Sequence, residues 1–200
     1  MKPKDSITLE NKNISSLATR EGAAFLKVVH WFLDYPDKEV SLNDLASITG
    51  IAKATANTVV SSLVKQEFLK REILGKLWRI SCNQKHPYNV GIKIPYHLGL
   101  LYFSGIIQET LKKVPGARSI ILFGSYRKGD DTQESDIDIA VEVLENVPLK
   151  IIPFTALKKI GYRKDIQVNL HIFSRKNIDL NLFTNIANGI VLYGLLEVKP

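Results

Sequence analysis

A single cysteine, Cys82, among 200 residues excludes an intramolecular disulfide and a cysteine-built metal centre, so a reducing, intracellular setting is the expectation. Nothing at the start resembles a secretory leader, since "MKPKDSITLENKN" is polar and has no apolar core. Long hydrophobic runs are missing too. The longest, around "HLGLLYFSGII", falls far short of the roughly 20 residues a membrane span needs. These absences predict a cytoplasmic chain with no membrane partner. What remains is ordinary for a globular protein, 45% hydrophobic and 24% charged. The length fits one large domain or two small ones, each able to bury a core.

The net charge of +7 is unevenly spread. Residues 1–95 hold 14 Lys/Arg against 9 Asp/Glu, and residues 96–200 hold 13 against 11. A basic first half suits a polyanionic partner. Its apolar periodicity reads as helices. In "GAAFLKVVHWFL", Phe25, Val28, Val29 and Phe32 share one helical face. "SLNDLASITG" predicts a second helix, capped by Ser41 with Asp44 three residues on and stopped by Gly50. "ATANTVVSSLVKQ" predicts a third, with Val59, Leu63 and Val64 inward, and "EFLKREILGKLWRISC" reads as two strands turning at Gly75.

Helix, helix, turn, helix, hairpin is the order of a winged helix-turn-helix, and residues 41–80 resemble that family throughout. The resemblance implies a third helix that enters the major groove and a hairpin that touches the backbone. Lys53, Thr55, Asn57, Thr58, Ser61 and Lys65 then lie on or near the reading face, and Lys70, Arg71, Lys76 and Arg79 on or beside the wing. Such modules also serve in dimerisation or protein docking, and a polar third helix is equally a solvated face. "NQKHPYNVGIKIPYH", with two prolines, a glycine and no clean periodicity, reads as a linker over 83–96, with His86 and His97 as surface polar residues. The organisation expected is thus 1–82, a linker, and 97–200.

"YHLGLLYFSGIIQETLKKV" predicts one helix closed by Pro115 and Gly116. "RSIILFGS" is a short buried strand ending on Gly124-Ser125, and "SDIDIAVEV" a second. Because strand side chains alternate faces, Asp136 and Asp138 point the same way while Ile137, Ile139 and Val141 point into the core. Two carboxylates this close repel unless a cation neutralises them. Mg²⁺ takes oxygen ligands and is commonly held by one or two carboxylates plus substrate phosphates. A glycine lets backbone approach a phosphate, and the following serine adds a hydroxyl and an N–H.

Gly-Ser, ten residues, then Asp-x-Asp resembles the DNA polymerase β-like nucleotidyltransferases, and most closely their minimal members. The likeness covers about residues 97–196, through "ILFGSYRKG", "SDIDIAVEV" and "NIANGIVLYG". It implies an α+β fold with a small mixed sheet flanked by helices. Gly124 and Ser125 would grip the triphosphate of ATP or another nucleoside triphosphate. Lys128, before Gly129, would contact phosphate or a partner. Asp136 and Asp138 would bind two Mg²⁺ ions for transfer of a nucleotidyl group, with pyrophosphate leaving. The family's third carboxylate falls at Asn169 in "IQVNLHIF", where an amide keeps an oxygen but loses charge and basicity. Asp165 is too far along the strand to replace it, and His171, on the same face as Asn169, could approach the site, although a strand histidine is more often a passive surface residue.

Two functions stand foremost, with a purely structural adaptor as a third possibility. One is a nucleotidyltransferase that moves NMP, AMP above all, to a protein or other acceptor. In the minimal members this is often the work of an antitoxin on a HEPN-type toxin. The other is a DNA-binding transcriptional regulator whose second domain only binds nucleotide or a partner. Winged helices commonly pair, so a homodimer is expected in either case.

Overall fold

The computed structural model describes residues 20–197, Lys76 excepted. Three helices open it: α1 (Arg20–Asp34), α2 (Leu42–Thr49) and α3 (Lys53–Lys65). The side chain of Ser41 accepts from the N–H of Asp44 at 3.2 Å, and Gly50 closes α2 in the left-handed region. Val28, Val29, Phe32, Leu45, Val60 and Leu63 are buried where the three helices meet. An antiparallel hairpin follows, β1 (Leu69–Leu74) with β2 (Leu77–Cys82), and Val40 pairs with Ile80 along its edge.

Residues 83–96, read as a linker, are largely helical. They hold α4 (Tyr88–Gly91) and the start of α5 (Lys93–Phe103). The two prolines that suggested a loop are compatible with this placement. Pro87 caps α4 and Pro95 sits in the first turn of α5, where a backbone N–H has no helical partner to lose. His97 is buried, 2% exposed, and is not the surface residue expected. The single helix expected over 96–114 breaks at Gly105, which takes a left-handed turn between α5 and α6 (Ile106–Lys113). Among the described residues no single helix is long and apolar enough to cross a membrane. The bent pair Tyr88–Phe103 and Ile106–Lys113 passes by length and composition alone, but it is broken by 58°.

The second half is a five-stranded mixed sheet in the order β5-β6-β4-β3-β7: β3 (Ala117–Phe123), β4 (Ile137–Val143), β5 (Lys150–Ile160), β6 (Arg163–Phe173) and β7 (Ile190–Gly194). All pairs are antiparallel except β4 with β6. Alternation along the strands makes two cores. Ile120, Leu122, Ile137, Ile139, Val141, Val168 and Leu170 pack under α5 and α6. Ile121, Phe123, Ala140 and Phe173 face the other way, onto Ile186 of α8 (Leu180–Ala187). Asp138, Asn169 and His171 share this second face of the strands. The short helix α7 (Gly124–Lys128) leads from β3 towards β4.

Candidate active site

The strand β3 ends at Phe123, which stands opposite Asp138 in the β3–β4 register. Gly124 follows at φ +72°, and a Cβ built there would lie 2.8 Å from Asp138 Oδ2. The turn therefore presses its backbone against the carboxylate, and only a residue without a side chain permits that approach. Asp138 is half-buried and Asp136, one residue before β4, is exposed. In the parallel pairing, Asp138 stands beside Asn169 and Ala140 beside His171. Asn169 donates through Nδ2 to Asp136 Oδ2 at 3.2 Å, and His171 Nε2 lies 3.1 Å from Asp138 Oδ1. Since a carboxylate only accepts, His171 is the donor. The passive role expected of His171 does not hold: two strands that the sequence does not show as neighbours bring it to the aspartate.

Of the other expected site residues, Ser125 is half-buried in the first turn of α7 and Lys128 is exposed. Gly129 is spent on packing. Its N–H bonds to the Ser125 carbonyl, and a Cβ would meet the Asn89 carbonyl at 2.4 Å. Asp165 lies near the start of β6, exposed, with a left-handed φ of +52°.

Sequence reasoning missed the buried cluster that carries the loop between α7 and β4. Arg163, 3% exposed, donates to the carbonyls of Gln133 at 2.9 Å and Ser135 at 2.8 Å, and also to the Tyr126 hydroxyl. Ser135 immediately precedes Asp136, so this guanidinium fixes where the first aspartate emerges. Asp131, 1% exposed, lies 3.6 Å from Arg163, 3.2 Å from Lys93 Nζ and 3.6 Å from His97 Nδ1. Burial pushes its carboxyl up, against the pull of His97, Lys93 and Arg163. Across the cluster, Asp34 at the end of α1 accepts from Tyr96 at 2.9 Å and from the N–H of Tyr162 at 2.7 Å, with His97 Nε2 at 3.4 Å. The only available signal was an aspartate inside the ten-residue spacer. Its partners lie 30 or more residues away.

On the first half, Lys53, Asn57, Thr58 and Lys65 are exposed along α3, and Thr55 and Ser61 are half-buried. Ser61 accepts from Arg71 at 3.3 Å, and Arg71 stacks over Trp78 at 4.3 Å. Arg79 is held by Glu39 at 3.3 Å and Glu72 at 3.4 Å. Lys70 is exposed on β1, and Lys76 lies outside the described residues. A groove of about 1020 Å³ opens between α1, α3 and α5, lined by Phe25, His30, Val59, Tyr96 and Phe103, and neither Asp136 nor Asp138 lines it.

Residues 106–196 match the family described as "Polymerase beta, Nucleotidyltransferase". This part of the chain, somewhat under half of it, is similar to a nucleotidyltransferase domain. A Methanocaldococcus jannaschii protein named as a protein adenylyltransferase is 54% identical over 39 residues, 20% of this chain and 39% of that protein. The chain thus matches well under half of that relative's length. The crystal structure of an IclR family transcriptional regulator from Brucella abortus aligns with 67% of this chain and 46% of its own, at 15% identity and a TM-score of 0.32. That likeness is too slight to carry an argument.

Nucleotidyltransferases in general use a nucleoside triphosphate and a divalent metal. The donors here suit a hard cation, because Asp136 and Asp138 offer carboxylate oxygens and Asp138 Oδ2 faces the Gly124 turn. Among the described residues, no three His, Cys, Asp or Glu side chains are arranged to hold an ion by themselves. Triphosphate and water would complete the shell.

Proposed function

We propose that this chain is a Mg²⁺-dependent nucleotidyltransferase that moves AMP from ATP onto a hydroxyl of an acceptor protein. The observation that carries the proposal is the close approach of Gly124 to Asp138 Oδ2, where a built Cβ would lie 2.8 Å away; the turn would grip phosphate and the carboxylate beside it would hold the cation. The name of the M. jannaschii relative supports AMP and a protein acceptor. In the reaction, the acceptor oxygen bonds to the α-phosphorus, the bond to the bridging β-phosphate oxygen breaks, and pyrophosphate leaves. Asp136 and Asp138 would hold the ions, two as the family's chemistry implies, and bound Mg²⁺ would stabilise charge on the attacking and leaving oxygens. Gly124 and Ser125 would bind the triphosphate, with exposed Lys128 beside them. Asn169 has no basic atom and does not take the acceptor's proton, which would pass to solvent.

The first half, on this proposal, is a winged helix-turn-helix that reads DNA with α3 and the β1–β2 hairpin. A chain with both activities fits an antitoxin that modifies a HEPN-type toxin and represses its own operon, as a homodimer in the cytoplasm. Incubation with α-labelled ATP, Mg²⁺ and cell extract tests the transfer. Label on a protein band, lost in Asp138→Asn, is the expected result, and its absence would remove the catalytic proposal.

A second reading has its own support. Asn169 binds Asp136 through a neutral amide where the family carries a third carboxylate, which suits a regulator that binds nucleotide without turning it over. Unmodified ATP recovered from a stable complex would favour it.

A further inference from the structure

The strands hold Asp138 in a manner the nucleotide reaction alone does not explain. Its two oxygens face different ways. Oδ2 lies towards the Gly124 turn, and Oδ1 is tied back to His171 Nε2 at 3.1 Å. The histidine is itself fixed. Its side chain is 12% exposed, its ring meets Phe123 edge-on at 4.9 Å, and the position opposite it on β4 is Ala140, whose small side chain leaves the ring room. His171 Nδ1 is buried without a partner, so the ring presents only Nε2 to the site.

We propose that His171 is the positioning residue of the cation site, fixing the Asp138 carboxylate so that Oδ2 stays aimed at the ion and the triphosphate turn. This inference rests on the nucleotidyltransferase reading and adds a residue to it. The physical need follows from Asn169. Where a third carboxylate would add charge and a further oxygen to the shell, this site has a neutral amide, so more of its affinity depends on two carboxylates being correctly oriented beforehand. A free aspartate must lose rotamer freedom when an ion binds, whereas one already tethered at Oδ1 has lost it during folding. Hydrogen-bonding partners of metal ligands typically change metal affinity by about 10–100-fold. Asp136 has a tether of the same kind from Asn169 Nδ2, so each carboxylate is held by one donor from β6.

Mn²⁺ provides the probe, because free and bound ion are distinguished by electron paramagnetic resonance without any turnover. The full-length chain is titrated with Mn²⁺, with and without a non-hydrolysable ATP analogue, as wild type and as Asp138→Asn, His171→Phe and His171→Gln. Phenylalanine keeps a ring against Phe123 and removes the donor, and glutamine restores an N–H near the Nε2 position. The inference expects Mn²⁺ affinity to fall about tenfold or more in H171F and to recover most of that loss in H171Q, with thermal melts near wild type. Equal affinity in wild type and H171F would overturn it, as would an H171Q variant as weak as H171F. Nitrogen hyperfine coupling from the imidazole to bound Mn²⁺ would also overturn it, since His171 would then be a ligand. If wild type and D138N bind Mn²⁺ alike, the nucleotidyltransferase reading itself fails, which is a different result from normal binding that ignores His171.

Discussion

At the scale of single residues, the site depends on a side chain that is missing. Gly124 combines φ +72° with a carboxylate oxygen 2.8 Å from where its Cβ would be. Gly124→Ala therefore meets two penalties at once: a left-handed conformation costing about 1–2 kcal/mol, and displacement of Asp138. The melting temperature is expected to fall by about 2–4 °C per kcal/mol in a chain of this size. Calorimetric titration with ATP and Mg²⁺ should show binding lost as well, and to a greater degree than the lost stability accounts for. An alanine variant that binds ATP like the wild type would show that the turn does not grip phosphate. Cys82 makes a useful contrast. Burial pushes its thiol up to about 11, so it is an inert packing residue and a poor target for alkylation in the folded chain.

At the scale of elements, the loop from α7 to β4 is held by charges with almost no contact with solvent. Arg163→Met keeps the volume but leaves Asp131 short of a countercharge and the Gln133 and Ser135 carbonyls without their donor. Breaking a buried ion pair from one side costs about 3–5 kcal/mol. Asp131→Asn on top of Arg163→Met should recover part of that loss. Urea midpoints for the single and double variants measure the coupling, and strict additivity would mean that the two residues do not act together. This cluster also marks what the sequence could convey. Periodicity and caps made α1, α2, α3 and the hairpin legible, because those signals lie within a few residues of each other, and the same alternation placed Ile137, Ile139 and Val141 inward. The strand β5 passed unnoticed, since Pro153 and the lysines of "ALKKI" argue against a strand. Pro153 in fact sits on the edge strand at a shift of register, where a missing N–H is tolerated. The helix α4 and the first turn of α5 were hidden by Pro87 and Pro95. His171 was misjudged for another reason: its meaning comes from the parallel β4–β6 register, and register between distant strands leaves no local trace.

At the scale of the whole molecule, the basic first half and the sheet-containing second half are joined through α1 and α5, and two expectations belong to that arrangement. If the first half binds DNA, each phosphate contact contributes about 0.9 to the slope of log affinity against log salt. Lys65→Gln should reduce that slope by about one unit, because Lys65 is exposed and has no ion pair among the described residues. Arg79→Gln should leave it nearly unchanged, because its guanidinium is already occupied by Glu39 and Glu72. Fluorescence anisotropy with a DNA duplex at several salt concentrations separates the two. The seam itself should respond to pH. His30 of α1 stacks on Tyr96 of α5 at 3.9 Å. Burial lowers its pKa, with Asp34 pulling upward and His97 downward. An imidazole of this kind stays neutral in the folded chain at a pH where the unfolded chain, titrating near 6.5, has already taken up a proton. The unfolded state then binds more protons, so the His30 contribution to stability is complete above about pH 6.5 and is lost as pH falls through the lowered folded value. Asp131, whose carboxyl is pushed up, acts in the opposite direction, so the comparison must isolate the histidine. His30→Phe keeps a ring on Tyr96 and removes the proton site. Urea unfolding at pH 7.5 and 5.5 should show a smaller loss of stability on acidification in His30→Phe than in wild type. An equal loss in both would place the acid sensitivity of the seam elsewhere.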